Sequence, residues 1–189
     1  PQGPRGLPVL VLPRQDPRLG QDRGKAELPA QNAISQGLGR DAASNDDRLR
    51  RQYHALVEAM WRTNAFLKPG EAALAVKLDS ALVPGLPKPV PWREIFVYSR
   101  RVEGIHLRAG AVARGGLRWS DRRDDFRTEV LGLMKAQRVK NAVIVPPGAK
   151  GRFYPKPPPD PRRPPAASLT EAPDTHQVSV RTLLSLTDN

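Results

Sequence analysis

Two stretches of the chain carry residues at the spacing of an amphipathic helix. In the first stretch, apolar residues recur at intervals of three and four: Leu49, Tyr53, Leu56, Val57 and Met60. Ser44 or Asn45 precedes this stripe, and either side chain is suited to cap a helix. The pattern predicts a helix with one buried face that continues to about Phe66 and ends before residues 68–70.

The second helical stretch begins after Ser120 or Asp121, each of which can occupy the capping position. Its stripe is formed by Phe126, Val130, Leu133, Met134 and Gln137. Phenylalanine and methionine at this spacing indicate contacts with a hydrophobic core and not a cofactor site.

Shorter apolar segments predict strands around these helices. Residues 72–78 (AALAVKL) lie between a Pro-Gly pair and a proline-rich loop, and residues 94–99 contain the β-branched and aromatic run IFVY. Residues 142–145 form a short apolar run before Pro146, which is typical of a strand buried on both faces.

Residues 102–108 alternate, with Ile105 and Leu107 on one face and His106 on the other. A turn at residues 109–110 could return this strand as a hairpin. A single histidine in a strand is expected to be a surface or hydrogen-bonded residue and not a ligand. The later order of strand, turn, helix, strand and loop resembles a βαβ unit, and the fold class is therefore α/β.

Proline and glycine concentrate at the two ends of the chain. Residues 1–40 and residues 155–165 (PKPPPDPRRPP) contain too little apolar surface to offset the entropy of ordering, so both are expected to be disordered. The alternative for residues 8–13 (PVLVLP) is an edge strand.

The formal net charge of +12 suggests nucleic acid or an anionic surface as a partner. Many arginines lie beside acids, however, as in the run DRRDD at residues 121–125, which indicates a solvated surface. The chain has no cysteine, so thiolate metal sites are excluded, and no metal site is expected. No apolar run approaches the ~20 residues that span a bilayer, so the cytoplasm is the default expectation.

Candidate chemistry concentrates in residues 111–151. A glycine pair followed by arginine, a helix and a Gly-Ala-Lys-Gly segment place cations at the ends of rigid elements. Backbone amides at glycine turns and helix starts add partial positive charge, so the ligand predicted for this arrangement is a small acidic metabolite.

The motifs ARGGLRWSDR, DFRTEVLGL, KAQ, VKNAVIVP and GAKG occur in this order, and the chain thereby resembles the large NAD-specific glutamate dehydrogenases of bacteria. The resemblance covers residues 45–151. It implies three parts: residues 1–44 outside the family pattern, residues 45–151 as an incomplete substrate domain with a small mixed sheet, and a Pro/Arg-rich tail at residues 152–189.

The resemblance also implies roles for individual residues. Lys150 takes the place of the catalytic lysine, which activates water and handles protons at the α-carbon of glutamate. Gln137 and Lys140 are expected to contact the α-carboxylate. Arg114, before Gly115 and Gly116, is expected to pair with the side-chain carboxylate. The partners are glutamate and 2-oxoglutarate, the complete enzyme uses NAD, and it is expected to be a homo-oligomer.

Three features qualify this interpretation. Arg118 is expected to pair with Asp121 or Asp125 and not to serve the site. Arg152 stands where the family continues its lysine loop with glycine. No G-x-G-x-x-G sequence follows a strand, and the family's catalytic aspartate and nucleotide-binding domain have no counterpart, so a fragment that binds no NAD and is inactive alone is expected. The alternatives are a dicarboxylate-binding module without catalysis and a basic nucleic-acid-binding protein.

Overall fold

A mixed β-sheet with helices on both faces organises the chain, as seen in a computed structural model. The structure describes residues 16, 21–22, 25–29, 31–32, 45–66, 73–140, 147–156 and 166–186. The side chains of residues 45–47, 138–140 and 166–172 are outside this description. The predicted strands at 8–13 and 142–145, and the predicted cap at Ser44, lie outside the described residues.

Three helices of at least 15 residues and six strands follow one another in the described part of the chain. They are α1 (Asn45–Ala59), β1 (Met60–Thr63), β2 (Leu74–Leu78), a 3-10 turn (Ser80–Leu82), β3 (Arg93–Tyr98), β4 (Val102–Arg108), β5 (Leu117–Trp119), α2 (Phe126–Lys140), β6 (Ala149–Pro155) and α3 (Ala166–Leu184). These elements confirm the predicted α/β class and the strands predicted near 72–78, 94–99 and 102–108.

The strand order in the sheet is β1-β2-β3-β4-β6-β5. All neighbours are antiparallel except β5 and β6, which are parallel. A parallel pair requires a crossover connection, and α2 supplies it between β5 and β6. A βαβ unit is therefore present around the predicted helix, but its strands are β5 and β6 and not the predicted ones: β4 is antiparallel to β6, and residues 142–145 lie outside the described residues.

Side chains alternate between the two faces of the sheet, and each face is covered by one helix. On one face, Ile105 and Leu107 pack in a buried cluster with Val130, Leu131 and Met134 of α2. On the other face, residues of α3 and the turn after it pack against β2 and β3. This second cluster comprises Ala73, Ala75, Ile95, Val97, Val178, Leu183 and Leu186. The tail thus contributes a helix to the core.

The prediction for the first helix is wrong at its end and on its face. The helix ends at Ala59 because Met60–Thr63 pairs with β2, and the ladder hydrogen bonds override the helical spacing. The stripe residues Leu49, Tyr53 and Leu56 are 41 %, 54 % and 37 % exposed. The 3-10 turn at Ser80–Leu82 contacts α1, and of the predicted stripe Val57 is buried, at 8 % exposure.

The second helix begins at Phe126, five residues after its predicted cap. Ser120 has a different role, because its hydroxyl accepts a hydrogen bond from the Arg122 amide at 3.1 Å and donates to Glu129 at 2.8 Å. These bonds fold residues 120–125 into a connecting turn. The predicted core contacts of α2 are confirmed for Val130 and Met134, which are fully buried.

Two further predictions for the strands are wrong. The chain does not return after β4 as a hairpin, because β4 already has β3 and β6 as neighbours. The Gly-Ala-Lys-Gly segment is not a loop either, since Ala149 begins β6 and the strand continues to Pro155. The boundary expected at residue 151 therefore falls inside a strand in the middle of the sheet.

Candidate functional site

A cavity of about 220 Å³ lies where β5 and β6 meet α2. Its walls are formed by Gly116, Arg118, Leu133, Lys150, Gly151 and Arg152. Lys150 and Arg152 are two positions apart in β6 and point to the same face. Arg118 is the register partner of Arg152 on β5, so three cationic side chains surround one small space.

The side of the sheet on which these cations lie follows from the strand register. Lys150 pairs with Leu107, and Arg152 pairs with Ile105. Both apolar partners belong to the cluster that packs against α2. The helix therefore forms one wall of the cavity, with Leu133 as an apolar contact, and it limits the access of water to the cations.

Close contact between two backbone segments fixes the floor of the cavity. The Ala149 amide donates to the Arg114 carbonyl at 2.8 Å, and the Gly151 amide donates to the Gly116 carbonyl at 3.1 Å. A β-carbon added at Gly115 would lie 1.3 Å from the carbonyl oxygen of Ala149. Gly115 must therefore be glycine for the backbone before β5 to approach Ala149. Gly116 has open space at the position of a β-carbon and lines the cavity.

An ion pair holds one of the three cations in place. Arg152 Nε donates to Glu129 Oε1 at 3.0 Å, and Arg152 Nη2 lies 3.0 Å from the same oxygen. Glu129 Oε2 accepts the hydrogen bond from Ser120. A carboxylate on α2 thus receives the guanidinium of Arg152 on β6.

The remaining predicted residues lie around the cavity in different ways. Gln137 contacts the segment before β6, since a β-carbon at Gly148 would lie 2.4 Å from Gln137 Oε1. This oxygen is buried and has no hydrogen-bond partner in the described part of the chain. Arg114 adjoins β6 through its backbone and is not among the cavity-lining residues. Lys140 is the last residue of α2, and its side chain is outside the described structure.

Arg118 and Arg152 are cavity residues that the sequence interpretation did not assign to the site. Arg118 was expected to pair with Asp121 or Asp125, but Arg122 Nε donates to the Asp125 carboxylate at 2.9 Å. Within the described residues Arg118 has no ion pair. The available signal was the two-residue spacing of Lys150 and Arg152, which places both on one face only if the segment is a strand.

His106 lies on the opposite face of the sheet, beneath the strand that carries Lys150. Its neighbour across the ladder is Gly151, where an added β-carbon would lie 2.9 Å from His106 Cδ2. Burial, and then the positive charge of Arg108, lower the pKa of His106 to about 4. The imidazole is therefore neutral at pH 7, and its ring packs against Gly151.

This lowered pKa makes stability depend on pH in a defined window. The unfolded chain binds a proton at His106 below about 6.5, whereas the folded chain does so only near pH 4. We therefore expect acidification from pH 6.5 to pH 4 to remove up to about 3 kcal/mol of folding free energy through this group. Urea unfolding across this range, compared between the wild type and His106→Gln, measures the effect.

The variant should lose less stability than the wild type over the same pH interval, whatever its stability at pH 7. Parallel pH profiles for the two proteins would show that His106 is protonated equally in the folded and unfolded states. They would contradict the assigned burial.

Other classes of site are not formed by the described residues. Within them, no three His, Asp or Glu side chains are close enough to hold a metal ion. Also within them, none of the helices has the length and apolar character to cross a bilayer.

The family model described as bacterial NAD-glutamate dehydrogenase, catalytic domain, matches residues 33–189. The chain belongs to this family. The match extends beyond residues 45–151 in both directions and includes β6 as a whole and α3, which agrees with their place in the fold.

Curated proteins named NAD-specific glutamate dehydrogenase show the same similarity. The protein of Halomonas elongata is 49 % identical over 193 residues and covers 100 % of this chain. That of Mycobacterium tuberculosis is 52 % identical over 166 residues, or 83 % of the chain, and that of Pseudomonas aeruginosa is 49 % identical over 177 residues, or 89 %. The chain spans 12 %, 10 % and 11 % of the lengths of these relatives.

Proposed function

We propose that this chain forms the dicarboxylate-binding part of the catalytic centre of an NAD-dependent glutamate dehydrogenase. The reaction converts L-glutamate, NAD+ and water to 2-oxoglutarate, ammonium, NADH and a proton. The observation that carries the proposal is the cavity in which Lys150 lies beside Gly116, Arg118 and Arg152. Three cations around one small, partly apolar space are suited to an anionic substrate of few carbon atoms.

Lys150 is the proposed catalytic residue. Within the described residues its amine has no carboxylate partner, so it is available to a bound substrate. Its position on a central strand fixes the direction of the side chain, because β6 pairs on one side with β4 and on the other with β5. A lysine held in this way can accept and return protons at the α-carbon and at an attacking water molecule.

The proposed carboxylate contacts come from two elements beside the cavity. Gln137 on α2 has a side chain aimed at the backbone before β6, and Lys140 is one turn further along the same helix. We propose that they bind the α-carboxylate. Arg114, with the backbone at Gly115 and Gly116, is the proposed partner of the second carboxylate. Two fixed contacts of this kind would hold the α-carbon at a set distance from Lys150.

The described residues do not fit NAD. A cavity of about 220 Å³ is smaller than the ~300–1,000 Å³ of typical cofactor sites, and none of the strands is followed by G-x-G-x-x-G. We therefore propose that the chain binds the dicarboxylate without turning it over alone. That the complete enzyme is a cytoplasmic homo-oligomer is a proposal that rests on the family resemblance.

Nucleic-acid binding is less well supported as a function. Several arginines that contribute to the positive charge pair with carboxylates of the chain itself: Arg93 with Asp79, Arg122 with Asp125, Arg127 with Glu94 and Arg152 with Glu129. Cations neutralised in this way contribute little to binding a phosphate backbone.

Glutarate binding to the full 189-residue chain, followed by two-dimensional amide NMR, tests the proposal. We expect saturable shifts at residues 150–152 and at Gly116. Lys150→Ala should weaken binding about tenfold or more, since a charge-assisted hydrogen bond in a half-buried site is lost.

Lys156→Ala is the matched control, because Lys156 directly follows β6 but pairs with Glu103 at 2.6 Å. It should leave the glutarate affinity within about twofold, as expected for a charge outside the cavity. An equal loss of glutarate affinity in Lys150→Ala and Lys156→Ala would mean that the net charge of the chain, and not the position of Lys150, determines binding. Unchanged affinity in Lys150→Ala would overturn the assigned role.

A further inference from the structure

The charges around the cavity do not balance within the described residues. Arg118, Lys150 and Arg152 line it, and the carboxylate that reaches them is that of Glu129. The excess is two positive charges. Lys150 and Arg152 are half-buried between the sheet and α2, so their charges are less screened than they would be on an open surface, whereas Arg118 is exposed.

Both carboxylate oxygens of Glu129 accept hydrogen bonds from the protein. Its Oε1 atom receives Arg152 through Nε and Nη2, both at 3.0 Å, and its Oε2 atom accepts the hydrogen bond from the Ser120 hydroxyl at 2.8 Å. Ser120 is buried, and Arg152 and Glu129 are half-buried. An ammonium group entering the cavity would therefore meet a carboxylate whose oxygens both have donors.

Arg152 still has donors to offer. A guanidinium carries five N–H groups, and Glu129 uses those of one edge. Arg118 lies directly across the parallel ladder from Arg152. Like charges at paired positions of a sheet are unfavourable, and an anion shared between the two guanidinium groups would remove the repulsion.

We propose that Arg152, held by Glu129, is a specificity-determining residue that makes the cavity prefer dicarboxylates without an amine, such as 2-oxoglutarate, over glutamate. The inference rests on the proposed function. A doubly negative ligand neutralises the excess charge, whereas the ammonium of glutamate is repelled by the cations and meets a carboxylate whose two oxygens already accept hydrogen bonds.

Calorimetric titration of the full chain with glutarate and with L-glutamate, at one ionic strength and pH 7, tests the proposal. Glutarate is the probe for a dicarboxylate without an amine. The wild type should bind glutarate about tenfold or more tightly than glutamate, the size expected for one charge-assisted contact.

Two substitutions should move this ratio in opposite directions. Arg152→Gly removes a cation and frees Glu129 Oε1 to accept an ammonium, so the preference should fall about tenfold, with weaker glutarate binding and unchanged or tighter glutamate binding. Glu129→Gln keeps an oxygen for Arg152 and removes the negative charge, so the preference for glutarate should rise. If Arg152→Gly does not fold, the proposal is tested by the ratio of glutarate to glutamate affinity in the wild type and in Glu129→Gln.

Lys156→Gln is the control for net charge, because it removes a paired cation outside the cavity and should leave the ratio unchanged. A wild type that binds neither ligand would overturn the proposed function together with this inference. A wild type that binds glutarate with no preference, or a preference that survives Arg152→Gly or falls in Glu129→Gln, would overturn the inference alone.

Discussion

Gly115→Ala should be among the most damaging single changes to the cavity. The added β-carbon would lie 1.3 Å from the Ala149 carbonyl oxygen and 2.3 Å from the carbonyl carbon, and a backbone group cannot rotate away as a side chain can. The segment that precedes β5 would have to move away from β6, and the hydrogen bond from the Ala149 amide to the Arg114 carbonyl would be lost. We expect a loss of about 3 kcal/mol or more in urea unfolding, and loss of glutarate binding.

Gly116→Ala is the matched control at the next position. An added β-carbon there has nothing within 4 Å, so the free energy of unfolding should change by less than about 1 kcal/mol. If both variants are as stable as the wild type, the close approach of the two backbone segments is wrong. If both lose the same stability relative to the wild type, the cause is a general intolerance of this turn to substitution and not the contact with Ala149.

Arg127→Met should also cost about 3–5 kcal/mol, because it leaves a buried carboxylate without its partner. Glu94 on β3 is 3 % exposed, and Arg127 on α2 binds it through two hydrogen bonds of 3.0 and 2.7 Å. The pair joins the middle of the sheet to the start of the helix that covers the cavity. Urea unfolding at pH 7 measures the loss, and Glu94→Gln in the same chain should restore part of it.

Arg122→Met removes another arginine–carboxylate pair a few residues earlier in the chain. Arg122 and Asp125 are 53 % and 49 % exposed, so solvent screens the pair and the free energy of unfolding should change far less than in Arg127→Met. Equal costs for the two arginine variants would mean that burial does not determine the contribution of the pair at Glu94. If Glu94→Gln restores no stability to Arg127→Met, the loss comes from packing by the Arg127 side chain and not from the unpaired carboxylate.

The strands at the centre of the chain could be predicted because each has an unambiguous local pattern. β3 contains IFVY, and β4 alternates around Ile105 and Leu107, so sheet propensity and burial agree there. The start of β1 could not be predicted in the same way. Met60 fits the helical stripe by spacing, and only its pairing with Leu78 on β2 ends the helix at Ala59.

The candidate site could be predicted in part for a similar reason. Lys150, Gly115 and Gly116 lie in motifs that are readable along the chain, and the structure places them around one cavity or its floor. The contributions of Arg118 and Arg152 depend on the register between β5 and β6. Two residues 34 positions apart become neighbours only through that register, which no local pattern specifies.

The position of β6 between β4 and β5 has a consequence for the order of folding. Strands β1 to β4 pair with one another in the order of the sequence, so these contacts can form early. In the described sheet β5 has β6 as its partner, and β6 ends at Pro155, 36 residues after Trp119. During synthesis β5 therefore cannot pair until α2 and β6 have left the ribosome. We expect the cations of the cavity to come together only when β6 joins the sheet.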